Sequence, residues 1–537
     1  MAYDPIQLEI YKHLFSAIAE EMGVVLRKSS YSPNIKERRD YSCAIFDSST
    51  RMIAQAAHIP VHLGSMPLSV AAAIQTFPEL FPGDIIALND PFRGGTHLPD
   101  ITLVSPVFLA QNMRNPYAFV ASRAHHADVG GMTAGSMPVA REIFQEGLII
   151  PPVKLVKAGQ IDQELFNLIL SNVRTPQERS GDLWAQISAN RRGAERLLEL
   201  VRQNGEPVVT QYMQELLQYT SRMTRKLLQQ LPDGDYPFTD YLDDDGLGHG
   251  PIPITVKLRI QGDEVIVDFR QSAPQQKGSI NAVYAITLSA VNYVFRCLLG
   301  LDVPNNAGCL EPVQVIVSPE SIVNASFPSA VAGGNVETSQ RIVDVLLGAM
   351  AQIPSSSSHP PVPAASQGTM NNLTIGGYDS MRRRPFAYYE TIAGGMGARY
   401  NSDGPSAKHS HMTNTLNTPV EALEYTYPLR VTRYAIRKGS GGSGAFSGGD
   451  GIYRDIQVLV DCEITLLSER RKIAPYALNG GQPGRPGRNI LIRSGQEIEL
   501  PGKGTFELQA GDIVSIRTPG GGGYGQPPTA STKPEGN

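Results

Sequence analysis

The chain has 537 residues, 41% of them hydrophobic and 18% charged, a globular composition too long for one small core. Its net charge of −4 argues against a nucleic-acid partner, because proteins that grip a phosphate backbone are usually basic. No apolar run approaches the about 20 residues that span a bilayer, so no membrane role is expected. The opening Asp4-Pro5 does not resemble a signal peptide. The four cysteines, Cys43, Cys297, Cys309 and Cys462, are scattered with no CxxC pair, which points to buried thiols in a reducing, cytoplasmic compartment.

In chain order, Asp4-Pro5 supplies an N-cap and a proline at the first helical position. Ile6, Ile10, Leu14, Ala17 and Ile18 then repeat at helical spacing, which predicts a helix to about residue 26. Residues 42–46 and 52–57 flank Asp47-Ser48-Ser49-Thr50 as a β-hairpin. A helix near 68–77 and strands at 84–88, 101–108 and 118–123 follow. Long helices are expected over 163–173, 183–203 and 208–231, then alternating strands at 254–260 and 264–269. Apolar helices near 282–299 and 338–352 are separated by loops rich in Gly and Asn. Residues 354–361 form an extended loop, short β runs alternate with glycine clusters from 425 onward, and the tail 526–537 is expected to be disordered. The fold class expected is α+β, a mixed multi-sheet fold with a long-helix segment and a β-rich C-terminal half. Its regions are 1–155 around the candidate metal site, 156–232 helical, 233–525 β-rich and the tail, or one interleaved domain over 3–525.

Of ten histidines, five fall between positions 58 and 126. Two segments surround three of them: Asn89-Asp90-Pro91-Phe92-Arg93-Gly94-Gly95-Thr96-His97-Leu98-Pro99-Asp100 and Ser122-Arg123-Ala124-His125-His126-Ala127-Asp128-Val129-Gly130-Gly131. Each follows a predicted strand, where a rigid scaffold presents functional groups. His97-x-x-Asp100 plus a histidine from a neighbouring strand offers nitrogen and oxygen ligands suited to Zn²⁺, Mn²⁺ or Fe²⁺. Upstream, Glu37 and Asp40 add two carboxylates three residues apart. His58 and His62, in His58-Ile59-Pro60-Val61-His62, are read as pocket-lining residues and not as ligands.

Other strings exclude chemistry. Thr518-Pro519-Gly520-Gly521-Gly522-Gly523-Tyr524-Gly525 lacks the Gly-Lys-Ser/Thr ending of a phosphate loop. Gly439-Ser440-Gly441-Gly442-Ser443-Gly444 has no following helix for a dinucleotide fingerprint. Both are read as tight backbone turns. Asp243-Asp244-Asp245-Gly246 is expected to be an exposed turn. No Gly-x-Ser-x-Gly elbow appears, which disfavours nucleophilic catalysis by the chain.

The chain resembles the hydantoinase B/oxoprolinase family. The matching stretches are Asn34-Ile35-Lys36-Glu37-Arg38-Arg39-Asp40-Tyr41-Ser42-Cys43, the two His/Asp segments, and Gly334-Asn335-Val336-Glu337-Thr338-Ser339-Gln340-Arg341. Gly394-Gly395-Met396-Gly397-Ala398, Asn414-Thr415-Leu416-Asn417-Thr418-Pro419-Val420-Glu421 and residues 518–525 extend the likeness along nearly the whole chain. It departs near Ala445-Phe446-Ser447-Gly448-Gly449, where the family often has Arg-Gly-Gly.

The resemblance implies one part of a hetero-oligomer whose hydantoinase A-type partner binds ATP, in keeping with the missing phosphate loop here. The partner would phosphorylate a carbonyl or amide oxygen, and this chain, with Zn²⁺ or Mn²⁺, would hydrolyse the ring C–N bond of a small cyclic amide such as 5-oxoproline or a hydantoin. By motif position the resemblance makes Glu37, Asp40, His97, Asp100 and His125 the metal ligands. Asp90, His126 and Asp128 would orient those ligands or act as base. Two other readings stay open: a subunit of an ATP-dependent acetone or acetophenone carboxylase, and a non-catalytic partner subunit. The length favours the hydrolase over the carboxylase, and the retention of each expected His and Asp argues against a non-catalytic role.

Overall fold

The computed structural model describes residues 4–56, 59–62, 64–354 and 361–527. His58, most of the 354–361 loop and the tail from 528 onward lie outside the described residues. The fold is α+β: helices and four sheets, with the C-terminal half rich in strands.

The N-terminal sheet has seven strands: β1 (Tyr41–Asp47), β2 (Met52–Gln55), β3 (Ile85–Leu88), β4 (Asp100–Val107), β5 (Ala118–His125), β6 (Val153–Lys157) and β7 (Gln160–Ile161). Their order is β2-β1-β5-β4-β3-β6-β7, and the pairings are antiparallel. Each residue of β1, β4 and β5 is buried, so both faces of the sheet centre are covered. Alternation along β1 shows how: Cys43 and Ile45 enter one apolar cluster, Ala44 and Phe46 another. The first cluster includes α1 (Pro5–Ser29), which precedes the short α2 (Pro33–Lys36); the second includes α3 (Met66–Thr76). Asp4 accepts a hydrogen bond from the Ile6 amide at 2.9 Å with Pro5 at the first turn, so α1 starts where expected.

After α4 (Gln163–Ser171), the long α5 (Pro176–Asn204) and α6 (Glu206–Leu228) complete the α1 layer, α5 lying across β4 and β5. A four-stranded sheet follows, β8 (Gly234–Leu242), β9 (Ile252–Gln261), β10 (Glu264–Asp268) and β11 (Val313–Ile316), in the order β11-β10-β9-β8. β8 was missed in the sequence because Pro237 and its acidic residues disguise it. An edge position lets a strand carry proline. α7 (Tyr284–Leu299) and α8 (Ser339–Met350) pack together, and α8 also packs on β8 and β9. A π-helical turn, Gly334–Thr338, leads directly into α8.

The last two sheets are β12 (Asn372–Asp379) and β13 (Arg384–Glu390) with β16 (Cys462–Leu467) and β19 (Lys503–Leu508), and β14 (Leu429–Arg437) with β15 (Gly451–Val458), β17 (Arg488–Arg493), β18 (Gln496–Leu500) and β20 (Ile513–Arg517). α9 (Val420–Thr426) precedes β14. The two sheets share an apolar core that includes Ile375, Ile464, Ile456 and Val514. The largest core cluster runs from Ile59 to Leu467 and ties the first sheet to α7, α8 and β9.

Two further expectations fail, one at an acidic turn and one at a cysteine. Asp243-Asp244-Asp245 turns, but it is not exposed: Asp243 and Asp245 are buried. Asp243 accepts backbone N–H bonds from Arg471, Lys472 and Ile473, so this turn staples two distant segments. Among the cysteines, Cys43, Cys309 and Cys462 are buried and Cys297 is exposed. Among the described residues no helix is long and apolar enough to cross a membrane.

Candidate metal centre

The neighbouring strands β1, β5 and β4 bring three polar residues to one end of the first sheet. Asp100 and His125 are direct register partners in the β4–β5 ladder. The His125 amide donates to the Asp40 carbonyl at 3.0 Å, which places Asp40 beside them just before β1. Arg39 turns the chain there through the left-handed region, φ 59°, an uncommon conformation for a non-glycine residue. His97 arrives from the β3–β4 loop, whose shape Asn89 fixes. The Asn89 side chain donates to the Leu98 and Leu148 carbonyls and accepts from the Ile150 amide. Gly94 in the same loop has φ 87°, and a Cβ there would lie 2.4 Å from the Leu68 carbonyl oxygen, so only glycine fits.

The side chains converge on one point. His97 Nε2 is 3.1 Å from His125 Nδ1, and Asp100 Oδ1 lies 3.3 Å from the first and 3.4 Å from the second. The other Asp100 oxygen is engaged: Thr96 donates to Oδ2 at 2.7 Å and His62 Nε2 stands 3.4 Å away. Asp100 Oδ1, buried, has no hydrogen-bond partner among the described residues. Burial pushes the His125 imidazole down to about 3, so it is neutral and offers a lone pair. Burial opposes ionisation of Asp100, but His97 and His62 outweigh it and hold the carboxyl well below the usual range. Two imidazole nitrogens and a free carboxylate oxygen form a donor set that fits a divalent cation of the Zn²⁺ or Mn²⁺ kind.

A cavity of about 20 Å³, room for roughly one water, adjoins this point. Asp40, His62, Asp100, His125, Asn335, Tyr389, Thr391 and Thr413 supply its polar lining, and Ile59, Val61, Val336, Met370 and Met412 its apolar lining. Burial raises the Asp40 carboxyl to about 7, against the lowering effect of Arg38.

The family model for hydantoinase B/oxoprolinase matches residues 4–527. The chain belongs to this family. An uncharacterized protein of Methanocaldococcus jannaschii is 43% identical over 98% of this chain and 91% of its own length. A 5-oxoprolinase of Dictyostelium discoideum is 40% identical over 97% of the chain, which spans only 40% of that longer protein. Among solved structures, the ATP-dependent caprolactamase from Pseudomonas jessenii superposes with a TM-score of 0.90 at 29% identity, over 98% of this chain and 92% of that one. An acetone carboxylase superposes at 0.89 with 18% identity, over 98% and 76%, which is a likeness of fold alone.

Within this chain, the other candidate residues stand apart from the converging three. Glu37 is half-buried at the C-terminal cap of α2, its amide bonded to the Pro33 carbonyl. Asp90 caps the 3₁₀ turn Pro91–Arg93, accepting from the Phe92 amide at 3.0 Å. His126 meets Gln186 of α5, Nε2 to Oε1 at 2.9 Å; burial and then Arg179 lower it to about 4. Asp128 accepts from the amides of Gly130, Gly135 and Arg174 and pairs with the Arg174 guanidinium at 3.0 Å. These contacts hold loops and do not reach the cavity lining.

Sequence reasoning missed Asn335 and Tyr389. Asn335 Nδ2 lies 3.3 Å from His97 Nε2, and it reaches that point from the π-helical turn. Gly334 lets the turn close in, since a Cβ there would meet the Asn281 carbonyl oxygen at 1.8 Å. The family block containing Asn335 was visible in the sequence; nothing there placed it against His97. Tyr389 lies in β13, whose aromatic residues Phe386, Tyr388 and Tyr389 favour a strand but do not show which site it reaches.

Proposed function

We propose that this chain is the metal-dependent hydrolytic part of an ATP-dependent cyclic amide hydrolase of the 5-oxoprolinase or hydantoinase type. It would act with a hydantoinase A-type subunit that holds the ATP site. The carrying observation is the convergence of His97 Nε2, Asp100 Oδ1 and His125 Nδ1 beside a water-sized cavity. The 5-oxoprolinase and caprolactamase relatives support the substrate class, since both names denote enzymes of cyclic amides. The 18% carboxylase likeness carries no comparable support.

An amide resists attack because resonance stabilises its planar C–N bond. Phosphoryl transfer to the amide oxygen, by the partner, would remove that resonance and leave an electrophilic carbon. His97, Asp100 and His125 would hold the cation, with Asp40 at the same wall; Glu37 makes none of these contacts and is left out of the set. A divalent cation held there would supply Lewis acidity and lower the pKa of water into the neutral range. Thr96 and His62 fix Asp100 through Oδ2, which keeps Oδ1 aimed at the centre. Ile59, Val61, Val336, Met370 and Met412 line the cavity with apolar surface and would limit the access of bulk water to the reacting group.

Elemental analysis tests the cation: wild type should carry a divalent metal and the His97→Ala/His125→Ala variant should lose it. Equal metal content in both would sink the assignment. The substrate class is tested by co-purifying the ATP-binding partner and following ATP turnover with 5-oxoproline, hydantoins and ketones. Stimulation by the cyclic amides is expected; stimulation by ketones alone, with bicarbonate dependence, would replace this reading with the carboxylase.

A further inference from the structure

A histidine that ligates a metal usually donates its other ring N–H to a carboxylate, carbonyl or water, and that bond sets the plane of the ring. His125 breaks this pattern. Its Nδ1 faces Asp100 and His97, while its Nε2, like His97 Nδ1, is buried with no hydrogen-bond partner among the described residues. What touches the ring instead is Tyr389, stacked on it with centroids 4.5 Å apart and planes only 14° from parallel.

Tyr389 is itself fixed at several points. Its hydroxyl donates to Asn372 Oδ1 at 2.9 Å, and Asn372 Nδ2 in turn donates to the buried Glu337 at 2.7 Å. Arg38, fully buried, donates to the Tyr389 carbonyl at 2.9 Å and to Thr391 at 2.8 Å, and its guanidinium carbon lies 4.8 Å from the Tyr389 ring centroid. Asn34 completes the frame by donating to the His125 carbonyl and accepting from Arg38. The tyrosine is therefore a rigid plate, and the imidazole that lies on it has one planar surface to match.

We propose that Tyr389 is a positioning residue for the cation site: its ring face, in place of the usual hydrogen bond, fixes the plane of His125 and keeps Nδ1 aimed at the centre. This rests on the reading that His97, Asp100 and His125 hold a divalent cation. It assigns the flat ring as the working part of Tyr389 and the hydroxyl as an anchor for that ring. Phenylalanine should therefore substitute well and an aliphatic side chain badly.

The experiment loads the full chain with Co²⁺ and measures its affinity by chelator competition, with the visible ligand-field spectrum and a thermal melt for each variant. Tyr389→Phe should bind within about twofold of wild type with the same spectrum. Tyr389→Leu should weaken binding by about tenfold or more, the scale seen when ligand-orienting contacts are lost, and shift the spectrum even where the melt is unchanged. Tyr389→Met, which keeps bulk without a ring plane, serves if the leucine variant does not fold, with the same expectation. Leucine or methionine variants that bind like wild type with an unchanged spectrum overturn the proposal. So does a phenylalanine variant as weak as leucine, which would put the role in the hydroxyl. A wild-type chain that takes up no Co²⁺ overturns the cation reading itself, an outcome distinct from any difference among the variants.

Discussion

Two of the polar clusters buried among the described residues are built on opposite plans. Around Arg470, charge meets charge: one guanidinium nitrogen lies 2.6 Å from Asp240 and 2.6 Å from Asp344, and Arg341 stands 3.5 Å from Asp344. Against burial, Arg470 and His411 hold the Asp344 carboxyl at about 2. Around Asp100, the neighbours are imidazoles, and among the described residues no arginine or lysine pairs with it. A buried carboxylate without a fixed cation is expensive to maintain unless something else supplies positive charge. The first plan closes on itself and joins β8, α8 and the segment after β16. The second leaves ligand atoms aimed at a common point, which is what a binding site for a cation needs and a structural knot does not.

The largest effect is expected where the closed plan is broken. Arg470→Met leaves Asp240 and Asp344 buried without that partner, and such a loss typically destabilises by about 3–5 kcal/mol. Chemical denaturation should show this drop, while the cation content of the folded fraction stays at the wild-type level. A variant that lost its metal without losing stability would mean the two clusters are coupled and the contrast is false.

The sequence made the Asp100 plan more legible than the Arg470 plan, for a physical reason. His97, Asp100 and His125 sit on short strand-end segments of unusual composition, and the flanking strands show in their apolar runs, so proximity followed from local signals. The helix that begins at Asp4-Pro5 was readable the same way, from one cap and a 3.6-residue repeat. Arg470, Asp240 and Asp344 are joined across separations of 126 and 230 residues, and no local pattern carries that pairing. Tyr389 and Asn335 were hidden likewise: each reaches the site from a different element whose placement depends on the tertiary fold. Asp243 shows the reverse error. An acidic run suggested an exposed turn, but its carboxylate was needed to satisfy three backbone amides.

A third kind of buried carboxyl sharpens the comparison through pH. Glu146 accepts from the Val331 and Ala332 amides at 2.8 and 2.9 Å, but its second oxygen has no partner and no cation pairs with it among the described residues. Burial outweighs the two amide bonds and raises its carboxyl from 4.5 to about 8. A raised folded-state value means the folded chain holds a proton that the unfolded chain releases. Its contribution to stability is therefore fully present below about pH 4.5 and fades as pH climbs towards 8, by at most about 1.4 kcal/mol per pH unit for one proton. Glu146→Gln should flatten the stability profile across this window. Equal slopes in wild type and variant would show that Glu146 is ionised in the fold, and that an unpaired carboxylate is tolerated here without a cation.

The smallest effect concerns Asp90, which lies in the same segment as His97 but faces a different task. Its carboxylate caps the turn Pro91–Arg93 through the Phe92 amide and lies 3.6 Å from Arg93, whose side chain is largely exposed. Removing a cap of this kind typically lowers stability by about 1 kcal/mol, so Asp90→Ala should melt slightly earlier. In a complex with the proposed ATP-binding partner, it should turn over the proposed cyclic amide at close to the wild-type rate. A rate loss on the order of 100-fold or more, the scale expected on removing a general base, with cation content intact, would move Asp90 from the scaffold of the loop into the chemistry. The site would then extend beyond the cavity wall along the β3–β4 loop, and the loop would have to close over the substrate for Asp90 to reach it.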